Sequence, residues 1–190
     1  MAKTEARLFV FSAPSGSGKT TIVKDVLKNN DGFVFSISAT TRKKRSTEID
    51  GTDYYFLTDE DFLKKIENNE FVEWEKFYDY YYGTLKSQID SNIANGIHTI
   101  FEVDVKGAIK IKEYYHHSVL IFIAPPSIDE LRNRLMQRNT ETEEDLKKRI
   151  ERAEMELSYK DKFDHVVSNV DLEKAKEDVR IIIDNELKEN

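Results

Sequence analysis

Short apolar runs alternate along this chain with segments whose apolar positions recur at helical spacing. Arg7–Ser12, Phe33–Ile37, Ile97–Val103, Ser118–Ala124 and His165–Ser168 are nearly continuous hydrophobic runs, the pattern of strands buried on both faces. Between and after them lie five longer amphipathic stretches with apolar positions three and four apart: Leu85–Ala94, Val105–Tyr115, Ile128–Gln137, Thr142–Tyr159 and Leu172–Leu187. A sixth, Thr20–Lys28, follows the first strand directly. Buried strands separated by helices predict an α/β fold in three layers, with a five-stranded parallel sheet covered on both faces.

Two stretches break the rhythm. Residues 38–88 are rich in tyrosine and charge, and their one short helical pattern, Asp59–Glu67, lies between strand-like pieces. They read as an inserted α+β sub-domain leaving the core after the second strand. Residues from about 134 to 159 form a long, highly charged helical pattern with few apolar anchors, the composition of a helical lid. The expected organisation is a single domain over 1–190. Its core is 1–37, 89–133 and 160–190, interrupted by the insertion 38–88 and the lid.

Composition narrows the function. At 190 residues the chain suits one domain that buries about 70% of its unfolded surface without staples. It has no cysteine, so disulfides and thiolate metal sites are excluded and a reducing cytoplasm is the expected location. No apolar run approaches the length of a membrane span. The net charge of -7 disfavours nucleic acid as a partner, since that function needs a broad basic footprint. A small anionic substrate remains compatible where positive charge is concentrated in a cleft. Thr41–Arg45 and the arginines at 132, 134, 138 and 149 are the candidates for such a cleft.

The residues Ala13-Pro14-Ser15-Gly16-Ser17-Gly18-Lys19-Thr20 fit the phosphate-binding loop pattern at every position but the first, where alanine replaces glycine. A buried strand precedes the motif and a helix follows it, the context its mechanism demands. The glycines let backbone N–H groups turn toward phosphates, and the helix N-terminus adds the positive end of its dipole. Lys19 is expected to reach the β- and γ-phosphates of ATP, and the Thr20 hydroxyl to ligate Mg²⁺. A phosphate cradle alone does not distinguish a hydrolase, a switch and a kinase.

Further segments carry a resemblance. Ser36-Ile37-Ser38-Ala39-Thr40-Thr41-Arg42, Arg45, Gly51-Thr52-Asp53-Tyr54-Tyr55-Phe56, Glu70-Phe71-Val72-Glu73-Trp74 and Tyr81-Tyr82-Gly83-Thr84 follow one another in order. Phe101 to Gly107, Ile123 to Ser127 and Arg138 to Glu144 continue the series. Over essentially its whole length the chain resembles the guanylate kinase family of P-loop nucleoside monophosphate kinases. The resemblance implies that Arg42, Arg45, Tyr54 and Tyr82 hold the phosphate of GMP, as arginine forks and tyrosine hydroxyls suit a dianion. It implies that Glu73 accepts from guanine N1–H and the 2-amino group, that Ser38 and Thr84 serve the O6 edge, and that Asp104 faces the guanine near the metal. Lys19, Arg42, Arg138 and Arg149 become the expected catalytic residues, with Arg134 and Arg138 on the ATP phosphates and Asn169 near the adenine. Glu102, where many members have aspartate, is expected with Asp104 to approach Mg²⁺ through water.

The implied reaction is MgATP + GMP giving ADP + GDP, with dGMP as a second candidate acceptor. Lys44, Lys106 and Asn139 depart from the family's usual proline, glutamine and glycine. Two rivals stand beside this reading: a binding module that has lost catalysis, and a kinase of the same fold acting on AMP, UMP, CMP or dTMP. The intact Lys19 and Thr20 oppose the first, and Glu73 with Thr84 opposes the second. His116-His117 read as adjacent strand residues facing opposite ways, a surface pair rather than a metal site. The cluster Tyr78, Tyr80 and Tyr81 reads as packing, and the acidic run Glu141–Asp145 as the first turn of a helix.

Overall fold

The computed structural model describes residues 6–77, 79–136 and 143–188. In chain order the elements are β1 (Leu8–Ser12), α1 (Lys19–Asn29), β2 (Phe33–Phe35), β3 (Ala39–Thr40), β4 (Tyr55–Phe56), α2 (Asp59–Glu67), β5 (Phe71–Phe77) and β6 (Tyr80–Leu85). There follow α3 (Lys86–Ala94), β7 (His98–Glu102), α4 (Val105–Tyr114), β8 (Val119–Ala124), α5 (Ile128–Met136), α6 (Glu143–Leu157), a 3₁₀ turn at Lys160–Lys162, β9 (His165–Ser168) and α7 (Leu172–Lys188).

Five strands form a parallel sheet in the order β2-β7-β1-β8-β9. The α/β class and the five-stranded parallel sheet expected from the apolar runs are both present. Alternation along β1 sends Phe9 and Phe11 to one face of the sheet and Leu8 and Val10 to the other. The first face packs on Ile22, Val23 and Val26 of α1 and on Ala175, Val179 and Ile183 of α7. The second packs on Ile89 of α3 and on Val105, Ala108 and Ile111 of α4. Side chains such as Phe9, Phe11 and Phe122 are wholly enclosed, and each contributes about 1.5–3 kcal/mol by leaving water. The result is three layers with a rigid carboxyl edge, where β1, β7 and β8 end side by side.

A second sheet, β4-β3-β6-β5, is assembled from residues between β2 and α3. It has its own small core of Ala39, Phe62 and Phe71, with the Phe62 and Phe71 rings stacked 4.4 Å apart. Helix α2 begins where its sequence directs, since Thr58 Oγ1 accepts from the Asp61 N–H and Asp59, Glu60 and Asp61 sit at the positive end of the dipole. In the β5–β6 hairpin the register shifts between Phe71 and Glu73, and Glu73 then pairs with Thr84. Such bulges re-aim side chains, here a carboxylate toward the edge of the core sheet.

Two expectations need correction. The strand expected over Phe33–Ile37 is shorter and half-exposed, because β2 is the sheet's edge and only β7 pairs with it. His116 and His117 lie in an exposed turn, not a strand. The turn closes when the Ser118 N–H donates to the Tyr115 carbonyl and Lys112 Nζ donates to Ser118 O. Among the described residues no helix is long and apolar enough to cross a membrane.

Candidate active site

A cleft of about 1240 Å³ opens at the carboxyl ends of β1 and β7, where open α/β sheets place their ligands. Its floor is the loop after β1. Gly16 and Gly18 hold φ values of 91° and 89°, the left-handed region that glycine enters without steric cost. Gly18 also caps α1 and, as a glycine, brings no side-chain acceptor to the helix's first turn, leaving an N-terminus of the kind that receives an anion. A Cβ on Gly18 would collide with Asn169 Nδ2, which itself donates 2.7 Å to the Ser17 carbonyl. Asn169 thus fastens the loop from the end of β9.

Lys19 Nζ donates to the Val103 carbonyl at 3.2 Å and stands 4.0 Å from Glu102 Oε1. Burial pushes its ammonium down from the ordinary lysine range, against the opposing pull of Glu102, Glu156 and Asp104. The Thr20 hydroxyl donates 2.5 Å to the same Glu102 oxygen. A hydroxyl and a carboxylate side by side at a phosphate cradle are hard oxygen donors of the kind Mg²⁺ takes. Among the described residues no cluster of three or more His, Asp or Glu side chains forms a metal cage.

The opposite wall comes from the second sheet and the β7–α4 junction. Ser38, Tyr54, Tyr82 and Asp104 line it. Asp104 caps α4, its Oδ1 accepting from the Gly107 N–H at 2.7 Å. Its carboxyl is held low: burial would raise it, and the bonds from Glu75 and the Gly107 N–H with the charge of Arg152 prevail. Glu73 and Thr84 are not in the lining. They sit behind it, with Thr84 Oγ1 donating 2.5 Å to Glu73 Oε1. A Cβ added at Gly107 would lie 3.1 Å from Glu73 Oε2 and 3.3 Å from Asp104 Oδ1, so the two carboxylates flank one bare backbone position. Burial pushes the Glu73 carboxyl up, partly countered by the Thr84 bond.

Arg42 is near this wall, its guanidinium 5.4 Å over the Tyr54 ring, but its fork is committed to Glu48 at 2.7 and 3.1 Å. The Arg45 backbone N–H adds a 2.8 Å bond to the same carboxylate. Arg42 first, and then Arg45, hold the Glu48 carboxyl at about 2, against an ordinary 4.5. Because the folded value is depressed, this contact stabilises fully above the unfolded value and is lost as pH falls from about 4.5 toward 2. Wild type should therefore melt above Glu48→Gln near neutral pH, with the two melting temperatures converging by about pH 2–3. A gap that persists in acid would rule the contact out as its source.

Of the arginines expected on ATP, Arg149 NH1 lies 3.4 Å from Ser15 Oγ, over the cradle. Arg134 instead pairs with Glu130 one turn away at 2.9 Å and reaches the Asn169 carbonyl at 3.5 Å. It is not part of the cleft lining, although it touches the residue that fastens the loop. Arg138 and Asn139, and with them Tyr78, Glu141 and Thr142, lie outside the described residues. Arg132 is exposed on α5.

Four charged residues at or beside the cleft are not singled out by the sequence: Glu75, Arg152 and Glu156 in its lining, and Glu48 on the Arg42 fork. Arg152 NH2 is 3.6 Å from Asp104 Oδ2 and 3.9 Å from Glu75 Oε2, and its Nε donates 3.0 Å to Glu156 Oε1. Glu156 is only 5% exposed, rare for an unpartnered carboxylate and understandable beside Arg152. Burial and a hydrogen bond with Asp104 push the Glu75 carboxyl up to about 7. The spacing Arg149, Arg152, Glu156 puts the three on one helix face, but it does not say what that face meets.

A strand–loop–helix phosphate cradle at the carboxyl edge of a parallel sheet, joined by a second sheet across one cleft, defines a P-loop nucleotide-binding protein of the phosphotransferase type. The guanylate kinase family profile matches residues 5–186. The chain belongs to the guanylate kinase family. It is 47% identical over 182 residues to the guanylate kinase of Thermotoga maritima, covering 96% of this chain and 88% of that protein. The Bacteroides fragilis guanylate kinase is 50% identical over 174 residues, covering 90% and 85%. The crystal structure of guanylate kinase from Anaplasma phagocytophilum superimposes with a TM-score of 0.74 at 31% identity, over 97% of this chain and 88% of that one.

Proposed function

We propose that this chain transfers the γ-phosphoryl group of ATP to GMP, giving ADP and GDP. The observation that carries the reading is that the phosphate cradle and the Tyr54–Tyr82–Asp104 wall open into one cleft of about 1240 Å³, large enough for two nucleotides face to face. In this reading Ala13 to Thr20 cradle the donor phosphates, with Arg149, Arg138, Arg134 and Asn169 on the donor side. Tyr54, Tyr82, Arg42 and Arg45 receive the acceptor phosphate, while Ser38, Glu73, Thr84 and Asp104 receive the base. Residues 38–88 act as the acceptor insertion and about 134–159, including α6, as the lid.

The chemistry asks little of the protein beyond position and charge. The acceptor phosphate has a second pKa near 6, so its attacking oxygen is already ionised and no general base is required. That oxygen forms a bond to the γ-phosphorus as the bond to the β–γ bridging oxygen breaks, and ADP leaves with the electron pair. Lys19 follows the migrating charge from the floor, and the lid arginines complete the shell as water is excluded. Thr20 and Glu102 would hold Mg²⁺ on the donor phosphates, where it neutralises their charge. Glu48 stands on the Arg42 fork where the acceptor phosphate is placed, so binding has to exchange one anion for another on that guanidinium.

ADP release from MgATP with GMP, AMP, CMP, UMP and dTMP in parallel tests the reading. Turnover with GMP above the other four is expected. Preference for another nucleotide would remove the Glu73 assignment, and binding of GMP without turnover would make the chain a recognition module.

A further inference from the structure

We propose that Arg152 is a positioning residue of the transfer site, one that from the lid helix α6 clamps the carboxylates of Asp104 and Glu75 on the acceptor wall. The proposal deepens the reading of the cleft as an ATP:GMP phosphotransferase site and rests on it. Its basis is where the guanidinium lies. Three carboxylates from three separate parts of the chain surround it: Glu156 on α6, Glu75 on β5 and Asp104 at the β7–α4 junction, at 3.0, 3.9 and 3.6 Å. The Glu156 contact is a hydrogen bond, and the one NH2 group meets both Asp104 and Glu75 at ion-pair distance, so a single planar cation faces both acids of the wall.

One turn earlier on the same helix face, Arg149 reaches Ser15 of the phosphate cradle at 3.4 Å. Positions 149 and 152 therefore lay one arginine on the donor floor and one on the acceptor wall. A rotation or withdrawal of α6 has to move both. Closing the lid and setting the Asp104–Glu75 pair are then parts of a single movement.

Charge gives a second reason. The described cleft lining sets five carboxyl groups, Asp53, Glu75, Glu102, Asp104 and Glu156, against four cations, Lys19, Lys148, Arg149 and Arg152. A site for two polyphosphate anions with so many acids in its walls depends on each cation to offset repulsion. Arg152 covers three of the five. Its side chain is 36% exposed, so these pairs add little to global stability and their consequence lies in geometry.

Steady-state kinetics of Arg152→Ala and Arg152→Lys test the clamp. The alanine variant should lose about tenfold in kcat while KM for ATP stays within about twofold, since displaced reacting groups cost rate before they cost donor affinity. Lysine, which keeps the charge without the fork, should recover part of the loss. In a Glu75→Gln background the same Arg152→Ala change should cost clearly less, because one of its three acid partners has been removed. A kcat within about twofold of wild type, or equal losses in both backgrounds, overturns the proposal.

The sequence has no cysteine, so a label pair introduced at Glu154 on α6 and Glu67 on α2 gives a direct reading of lid position. The ligand-free distance distribution should broaden in Arg152→Ala. Should wild type fail to turn over GMP, the functional reading falls by itself, and the label distances alone decide the clamp. An unchanged distribution then overturns it.

Discussion

Replacing Lys19 with alanine is expected to lower kcat with GMP about 10²–10³-fold while leaving the fold intact, the loss typical of removing one preorganised donor from a site of developing charge. The lysine is set for this role by competing effects. Enclosure at the floor of the cleft disfavours its charge, while Glu102, Glu156 and Asp104 favour it, and its Nζ is aimed by the Val103 carbonyl at 3.2 Å. Its ammonium is thus held in a low-dielectric site, where an interaction with phosphate oxygens is far stronger than in water. Alanine removes that charge and leaves Glu102 paired with the Thr20 hydroxyl at 2.5 Å, so no carboxylate is stranded. Circular dichroism and a thermal melt resembling wild type, together with the kinetic loss, would assign the effect to chemistry. Turnover within about tenfold of wild type would remove Lys19 from the transition state.

The second large effect is expected at Glu73. Glu73→Gln should reduce kcat/KM for GMP about 10²–10⁴-fold, the cost of two hydrogen bonds to a charged acceptor at about 1.5–3 kcal/mol each. The KM for ATP should not change, because β5 does not contribute to the phosphate cradle. Glutamine keeps the shape and the Thr84 contact, yet it presents an NH₂ donor where the guanine edge presents donors of its own. Two donors then face each other, and a buried pair of that kind is worse than none. The variant should gain no useful activity with AMP, since a carboxamide in this position does not build an adenine site. Unaltered GMP kinetics would mean that the base is read elsewhere, for which Asp104 and Ser38 are polar groups in the cleft lining itself.

The sequence by itself determined what depends on local pattern. The five apolar runs became the five parallel strands: β1 and β8, covered on both faces, are buried almost throughout, while the edge strands β2 and β9 are partly exposed. The loop from Ala13 to Thr20 was legible because its geometry is written in glycines and its context in the flanking strand and helix. The short helical pattern Asp59–Glu67 became α2 in the same local way. The family was legible by resemblance, through segments that include those scattered from Ser36 to Asp104.

Only the tertiary structure decided which charges meet. Arg152 and Glu75 are far apart in sequence, and on a helix already rich in arginine and glutamate nothing local separates Arg152 from a solvated surface residue. The Arg42–Glu48 fork lies inside a loop without periodicity, where a spacing of six carries no rule. Arg134 shows the converse: the same residue type, at the same helical spacing from a glutamate, is an i,i+4 pair beside Asn169 rather than a lining residue. Helical spacing fixes which side chains share a face, but the packing of that helix against the rest of the chain fixes what the face meets. The cleft's charge balance arises at that second level, because it is a sum over residues that α1, β5, β7, α6 and the loops at Asp53 and Asp104 bring together.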